Sequence, residues 1–191
     1  SLSAAVALEN HPAFAGLSEA SQLELKNTTK VVQFQPGQPL CHSRELPNQV
    51  QLIVSGKARL IVREQNRSKT LTKLGSGELV GLSSLIRAKS CETVSASTAV
   101  LAISIPDRII LKLLTEESTF KRYCSRTLWH AEVYALIQPK VELVAFEGAS
   151  LTQVFPRLFK EFCLLYFLFR YFIQLSVMSL RMKFSYFGLM G

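Results

Sequence analysis

Apolar residues along this chain change their spacing three times. From Pro12 to Lys30, Phe14, Leu17, Leu23 and Leu25 sit among polar positions. Ser18 followed by Glu19 fits a helix start, because a serine hydroxyl accepts from an orphan N–H of the first turn. A short helical lead-in is predicted. From Val31 the period drops to two. Val31-Val32-Gln33-Phe34 predicts a strand that Gln35-Pro36-Gly37 stops, proline presetting φ and glycine taking the left-handed position of a turn. Gln51-Leu52-Ile53-Val54 and Ala58-Arg59-Leu60-Ile61-Val62 flank Ser55-Gly56-Lys57, the strongest hairpin signal in the chain. A polar stretch from Arg63 to Thr70 follows, and Leu71-Thr72-Lys73-Leu74 resumes alternation as the return strand of another hairpin. Gly75-Ser76-Gly77 marks a corner. Thr93–Ser97 and Val100–Ile105 then complete a run of short strands, spaced as in a closed or two-sheet β architecture.

The period changes again at Pro106. Asp107 is placed to cap a helix bearing Ile109, Ile110, Leu113 and Leu114, and a longer helical pattern runs from Ser118 to Leu136 through Phe120, Tyr123, Cys124, Leu128 and Val133. Gln138-Pro139 ends it, since proline removes a donor and disfavours helix in the residue before it. The predicted class is mainly β with flanking helices. One domain spans residues 10–137, and 138–191 forms a tail.

Composition changes the picture at the tail. From Gln153 onward lie eight of the twelve Phe, three of the five Tyr, and five cations (Arg157, Lys160, Arg170, Arg181, Lys183) against the single acid Glu161. Residues 162–180 are nearly continuous apolar text broken by Arg170 and Gln174, close to the ~20 residues of a membrane-spanning helix. Arg170 at mid-span costs about 2.5–3.5 kcal/mol on insertion scales, which leaves a span feasible. Two readings stay open: a membrane anchor, or the replacement text of a truncated or frame-shifted gene. The rest of the net charge of +8 is spread over a larger surface with no basic run interleaved with aromatics, so no nucleic-acid partner is expected.

Candidate chemistry is sparse. Cys41, Cys91, Cys124 and Cys163 show no C-x-x-C spacing and read as free thiols of a reducing, cytoplasmic setting; Ser1 to Phe14 carries no secretory pattern. Cys41-His42 are neighbours on an extended segment, which turns them to opposite sides, and Cys124 and His130 fall on different helical faces. No catalytic residue, metal ligand or cofactor is expected. Phe120, Tyr123 and Trp129 form a stripe that either packs on the β unit or pairs two copies through residues 118–136.

The order of these elements resembles the cyclic nucleotide-binding domain family over about Asn10 to Leu136. The features that carry the likeness are the Pro-Gly corner, Ser55-Gly56-Lys57, Leu74-Gly75-Ser76-Gly77-Glu78, a short loop, further strands and two helices. The resemblance implies a jelly roll of about eight strands and a phosphate-binding cassette over residues 77–93. In such a cassette, N–H groups at a helix start favour the cyclic phosphate, an arginine grips it in bidentate fashion and a glutamate accepts from the ribose. The vestigial site here comprises Gly81, Leu82, Ser83, Ser84, Ser90, Cys91 and Thr93. Leu82 stands where the family has its glutamate and Ser90 where it has its arginine. Each lost charged hydrogen bond costs about 1.5–3 kcal/mol, so tight cyclic AMP binding is not expected. Arg87 and Lys89 are the candidate substitute phosphate contacts, and Glu92 repels a phosphate if it turns inward.

Leu74 to Leu85 with Cys91-Glu92-Thr93-Val94-Ser95-Ala96-Ser97 is similar to the degenerate domain that precedes the peptidase and membrane parts of bacterial, notably cyanobacterial, toxin- or bacteriocin-exporting ABC transporters. No Walker A run occurs, so this chain alone performs no transport chemistry. The leading expectation is a non-enzymatic regulatory or interaction module. The alternatives are a membrane-tethered cyclic-nucleotide sensor and a regulator related to the catabolite activators. For the latter, Phe155 to Gly191 offers no polar recognition helix.

Overall fold

A computed structural model describes residues 2–139 and 150–167. Two helices lead in, α1 (Leu2–Asn10) and α2 (Glu19–Thr28). Eight strands follow: β1 (Lys30–Phe34), β2 (Pro39–Cys41), β3 (Gln49–Ser55), β4 (Ala58–Glu64), β5 (Arg67–Leu74), β6 (Leu79–Val80), β7 (Val94–Ala96) and β8 (Val100–Pro106). Helix α3 (Leu82–Ile86) lies between β6 and β7. Helices α4 (Asp107–Glu116), α5 (Ser118–Arg126) and α6 (His130–Ile137) come after β8. The strands form two four-stranded sheets, β1-β8-β3-β6 and β2-β7-β4-β5, with every pairing antiparallel. This is the expected jelly roll. The chain divides at Thr152/Gln153 into two compact units, and residues 151–167 are helical.

Ser55-Gly56-Lys57 is not a hairpin. β3 and β4 belong to different sheets, so the segment is a corner that passes the chain from one layer to the other. Gly56 is needed there twice over. Its φ is +91°, and a Cβ would stand 2.2 Å from the Ala99 carbonyl oxygen. The true hairpin is β4–β5, paired from Ala58↔Leu74 to Glu64↔Arg67 around Gln65 and Asn66, both at positive φ. A hairpin turn normally advertises itself with glycine, and this one uses Asn66, whose short polar side chain tolerates the left-handed region.

The helical expectations need two corrections. Ser118 to Leu136 is not one helix: Thr127 and Trp129 are extended between α5 and α6. The Thr127 hydroxyl and N–H both turn back on the Tyr123 carbonyl, at 2.8 and 3.1 Å, which closes the last turn of α5, while Trp129 packs on the core. Asp107 is the first residue of α4 rather than its cap. Pro106 holds the cap position, and the Asp107 carboxylate accepts from the Arg108 N–H at 2.7 Å. Ser18 does cap α2, accepting from the Ser21 N–H at 3.4 Å.

One core lies between the β1-β8-β3-β6 sheet and the helices. Val50 and Leu52 of β3 and Ile103 and Ile105 of β8 meet Leu8, Phe14, Leu25, Ile110, Leu113 and Phe120, with Tyr123 and Trp129 packed at the edge. The period of two then turns Ile53 and Ala102 to the other face, toward the second sheet, where Leu60, Leu71 and Val94 are also buried. Phe120, Tyr123 and Trp129 therefore pack on this core.

His11 ties the lead-in to the roll. Its Nδ1 accepts from the Ala13 N–H at 3.1 Å, which leaves Nε2–H to donate to the Gly77 carbonyl at 2.9 Å. Burial lowers its pKa below the usual 6.5, with the Gly77 carbonyl pulling partly the other way. A histidine depressed on folding stabilises the fold fully above the unfolded pKa, and that contribution fades as pH falls through 6.5 toward the folded value. The melting temperature is therefore expected to hold above pH 7 and to drop as pH falls below 6.5. His11→Gln keeps a donor for Gly77 without titrating, so it should flatten the slope to the share due to His130, which burial shifts the same way. An unchanged slope contradicts this role for His11.

Candidate functional site

The cassette starts at Gly81, whose φ of +91° turns the chain from β6 into α3. Its first half is closed. Glu92 is only 5% exposed and points inward: Oε1 accepts from the Gly81 N–H at 3.2 Å, and Oε2 accepts from the Ser84 N–H at 3.2 Å and the Ser84 hydroxyl at 2.9 Å. The Ser84 oxygen in turn accepts from the Cys91 N–H at 3.1 Å, and Cys91 Sγ lies 3.5 Å from the Ser83 hydroxyl. Leu82 is fully buried in the core cluster with Leu79 and Leu85, not turned to solvent.

The second half of the cassette faces a cleft of about 720 Å³. Lys89, Ser90, Cys91 and Thr93 line it together with Ile61, Val62 and Arg63 of β4, Ala131, Tyr134 and Ala135 of α6, and Arg44. Ser90 donates to the His42 carbonyl at 3.1 Å, and Thr93 donates to the Ser43 hydroxyl at 2.8 Å. Arg87 does not line the cleft. It pairs instead with Glu132 of α6, Nη1 to Oε1 at 2.8 Å. Lys89 does line it, and no Asp or Glu is among the lining residues.

Residues 31–117 match the family model of the cyclic nucleotide-binding domain. This segment is a domain of that family. Solved structures agree on its fold. The regulatory domain of Toxoplasma gondii PKA, solved with cAMP, is similar at a TM-score of 0.58 and 13% identity, over 65% of this chain and 48% of that one. A transcriptional regulator of the Crp/Fnr family from Eubacterium rectale gives 0.54 and 19%, over 60% and 55%. The N-terminal domain of a transcriptional regulator from Streptomyces coelicolor gives 0.51 and 21%, over 75% and 99%. The chain spans a little under half the length of the kinase regulatory subunits it resembles. No curated protein matches it at a significant level.

Within the cyclic nucleotide-binding domain, the Cys41 thiol is pushed up to about 12 by burial and then by Glu92 and Cys91, so it stays protonated and unreactive. Burial likewise pushes Cys124 up to about 12. Among the described residues no group of three His, Cys, Asp or Glu converges as metal ligands do.

Sequence reasoning missed a second carboxylate with a structural task. Glu64, at the end of β4, accepts from the Leu151 N–H at 2.6 Å, the Thr152 hydroxyl at 2.7 Å and Lys69 Nζ at 2.8 Å. Burial pushes its pKa up, but these three donors outweigh it and hold it below the usual glutamate range. A helix start with Leu-Thr and no acid in its first turn was the available signal, because its orphan N–H groups need an acceptor from elsewhere. Among the described residues no helix is long and apolar enough to cross a membrane; most of the predicted span 162–180 lies outside those residues.

Proposed function

We propose that this chain is a non-enzymatic regulatory or interaction module of the cyclic nucleotide-binding fold whose cassette does not hold a cyclic nucleotide tightly. One observation carries the reading: the N–H groups of Gly81 and Ser84, which start the cassette helix, already serve the buried carboxylate of Glu92. A phosphate arriving there finds those two donors already taken by a carboxylate, and Ser90 brings no positive charge to attract it. The family match and the regulatory proteins that share the fold support the regulatory class. Service as the front part of a longer exporter, in the cytoplasm, belongs to the same proposal.

Isothermal titration of the full chain with cyclic AMP and with cyclic GMP is the test. No heat of binding in the micromolar range is expected for either, and a micromolar dissociation constant overturns the reading. A second reading, a tethered sensor of another anionic ligand, is favoured by Arg44, Arg63 and Lys89 standing at an acid-free cleft. Binding that is lost in Lys89→Ala and weakens with salt separates it from the first.

A further inference from the structure

Two internal contacts act on one short, buried piece of chain. Helix α3 is five residues long; Glu92 holds its first turn, and Arg87, its C-cap, is ion-paired to Glu132 in the first turn of α6. Both side chains of that pair are about two-thirds or more buried, which shields the pair from solvent better than a surface bridge. The other end of α6 is tied too, since the Gln138 amide donates to the Arg63 carbonyl of β4 at 3.5 Å. Between these ties, Ala131, Val133 and Tyr134 are buried, and the helix lines the cleft through Ala131, Tyr134 and Ala135.

We propose that Glu92 is a built-in substitute for a ligand. Its carboxylate sets the cassette, and the Arg87–Glu132 pair passes that setting to α6, so α6 stays against the cleft without any diffusible molecule. The inference rests on the reading above and adds regulation to it: the module holds one fixed conformation rather than switching. A ligand moves such an equilibrium only by its differential affinity for two states, and here the differential contacts are covalently part of the chain.

The test is hydrogen exchange of the full chain followed by mass spectrometry, in Glu92→Gln, Arg87→Glu, Glu132→Arg and the double variant R87E/E132R. Peptides covering 130–137 are expected to exchange about tenfold faster in the three single variants, the loss expected for one charged hydrogen bond. Peptides from β8 and α4 should be unchanged. R87E/E132R should return α6 to its original rate, because the swapped pair keeps the latch. Unchanged α6 rates in Glu92→Gln, or a rise there only in step with β8 and α4, overturns the proposal. Either result leaves the titration with cyclic nucleotides unaffected, so failure of the latch and failure of the binding reading are told apart.

Discussion

The double variant S90R/E92A is expected to bind cyclic AMP at least about a hundredfold more tightly than the unsubstituted chain, with neither single change achieving this. Ser90 lines the cleft, so an arginine there points a cation at the place where the resemblance expects the phosphate grip. In S90R alone, however, the new guanidinium stands two residues from Glu92 and pairs with that carboxylate instead of the ligand. The gain should stay below about tenfold. In E92A alone the Gly81 and Ser84 N–H groups lose their acceptor and gain no cation to help them recruit a phosphate. That change also costs about 1–3 kcal/mol of stability through the unpaired donors. Together the two substitutions supply donors and counter-charge at once. Each charged hydrogen bond is worth about 1.5–3 kcal/mol, so the pair accounts for the hundredfold and is superadditive. Displacement of a fluorescent cyclic AMP analogue measures all four proteins. S90R binding as tightly as the double variant shows that Glu92 was never the obstacle.

The cassette also shows what one sequence reveals and what it hides. Position counting puts Leu82, after Gly81, and Ser90, three residues before Thr93, where the resemblance expects a glutamate and an arginine, because a substituted side chain is visible in the letters. The direction in which Glu92 points is not. It depends on a three-dimensional closure in which the chain after α3 returns past Ser84, bringing residues eight and eleven positions apart into hydrogen-bond reach. Arg87 was equally ambiguous. It looked available for a phosphate until α6 brought Glu132 within 2.8 Å, and nothing local encodes a contact 45 residues away.

The strands were legible for the opposite reason. A period of two is a local property, so β1, β3, β4 and β8 could be read with errors of one or two residues. Pairing was not. Ser55-Gly56-Lys57 satisfies the chemistry of a tight hairpin and of a corner between layers alike, since both need positive φ at the glycine. What distinguishes them is the close approach of the Ala99 carbonyl, which belongs to a segment more than forty residues on. The β4–β5 hairpin was legible through its return strand Leu71–Leu74, but its turn at Gln65 and Asn66 was not, because β5 is only half buried and its Arg67-Ser68-Lys69-Thr70 start reads as a polar loop.

Phe120→Ala should be the most damaging single truncation in the helical core, lowering unfolding free energy by about 3–5 kcal/mol. Phe120 is fully buried and stacks on Phe14, with ring centroids 5.8 Å apart and planes 13° from parallel; Phe14 in turn meets His11 at 5.4 Å. The column spans elements far apart in sequence, joining the segment between α1 and α2 to α5. The cavity therefore opens at a joint between elements, and His11, with its bond to Gly77, sits at its other end. Backbone relaxation can fill little of it, because β3 and β8 close one side with Leu52 and Ile103. Phe14→Ala should cost a similar amount. The double variant should cost less than the sum, since the second truncation removes a ring whose stacking partner is already gone. Leu111→Ala, at a side chain 47% exposed on α4, serves as the control and should change stability little. Urea unfolding followed by far-ultraviolet circular dichroism gives all four values. Against a typical total of about 5–15 kcal/mol, a loss under 1.5 kcal/mol for Phe120→Ala would mean that the helices and the roll are not one cooperative core.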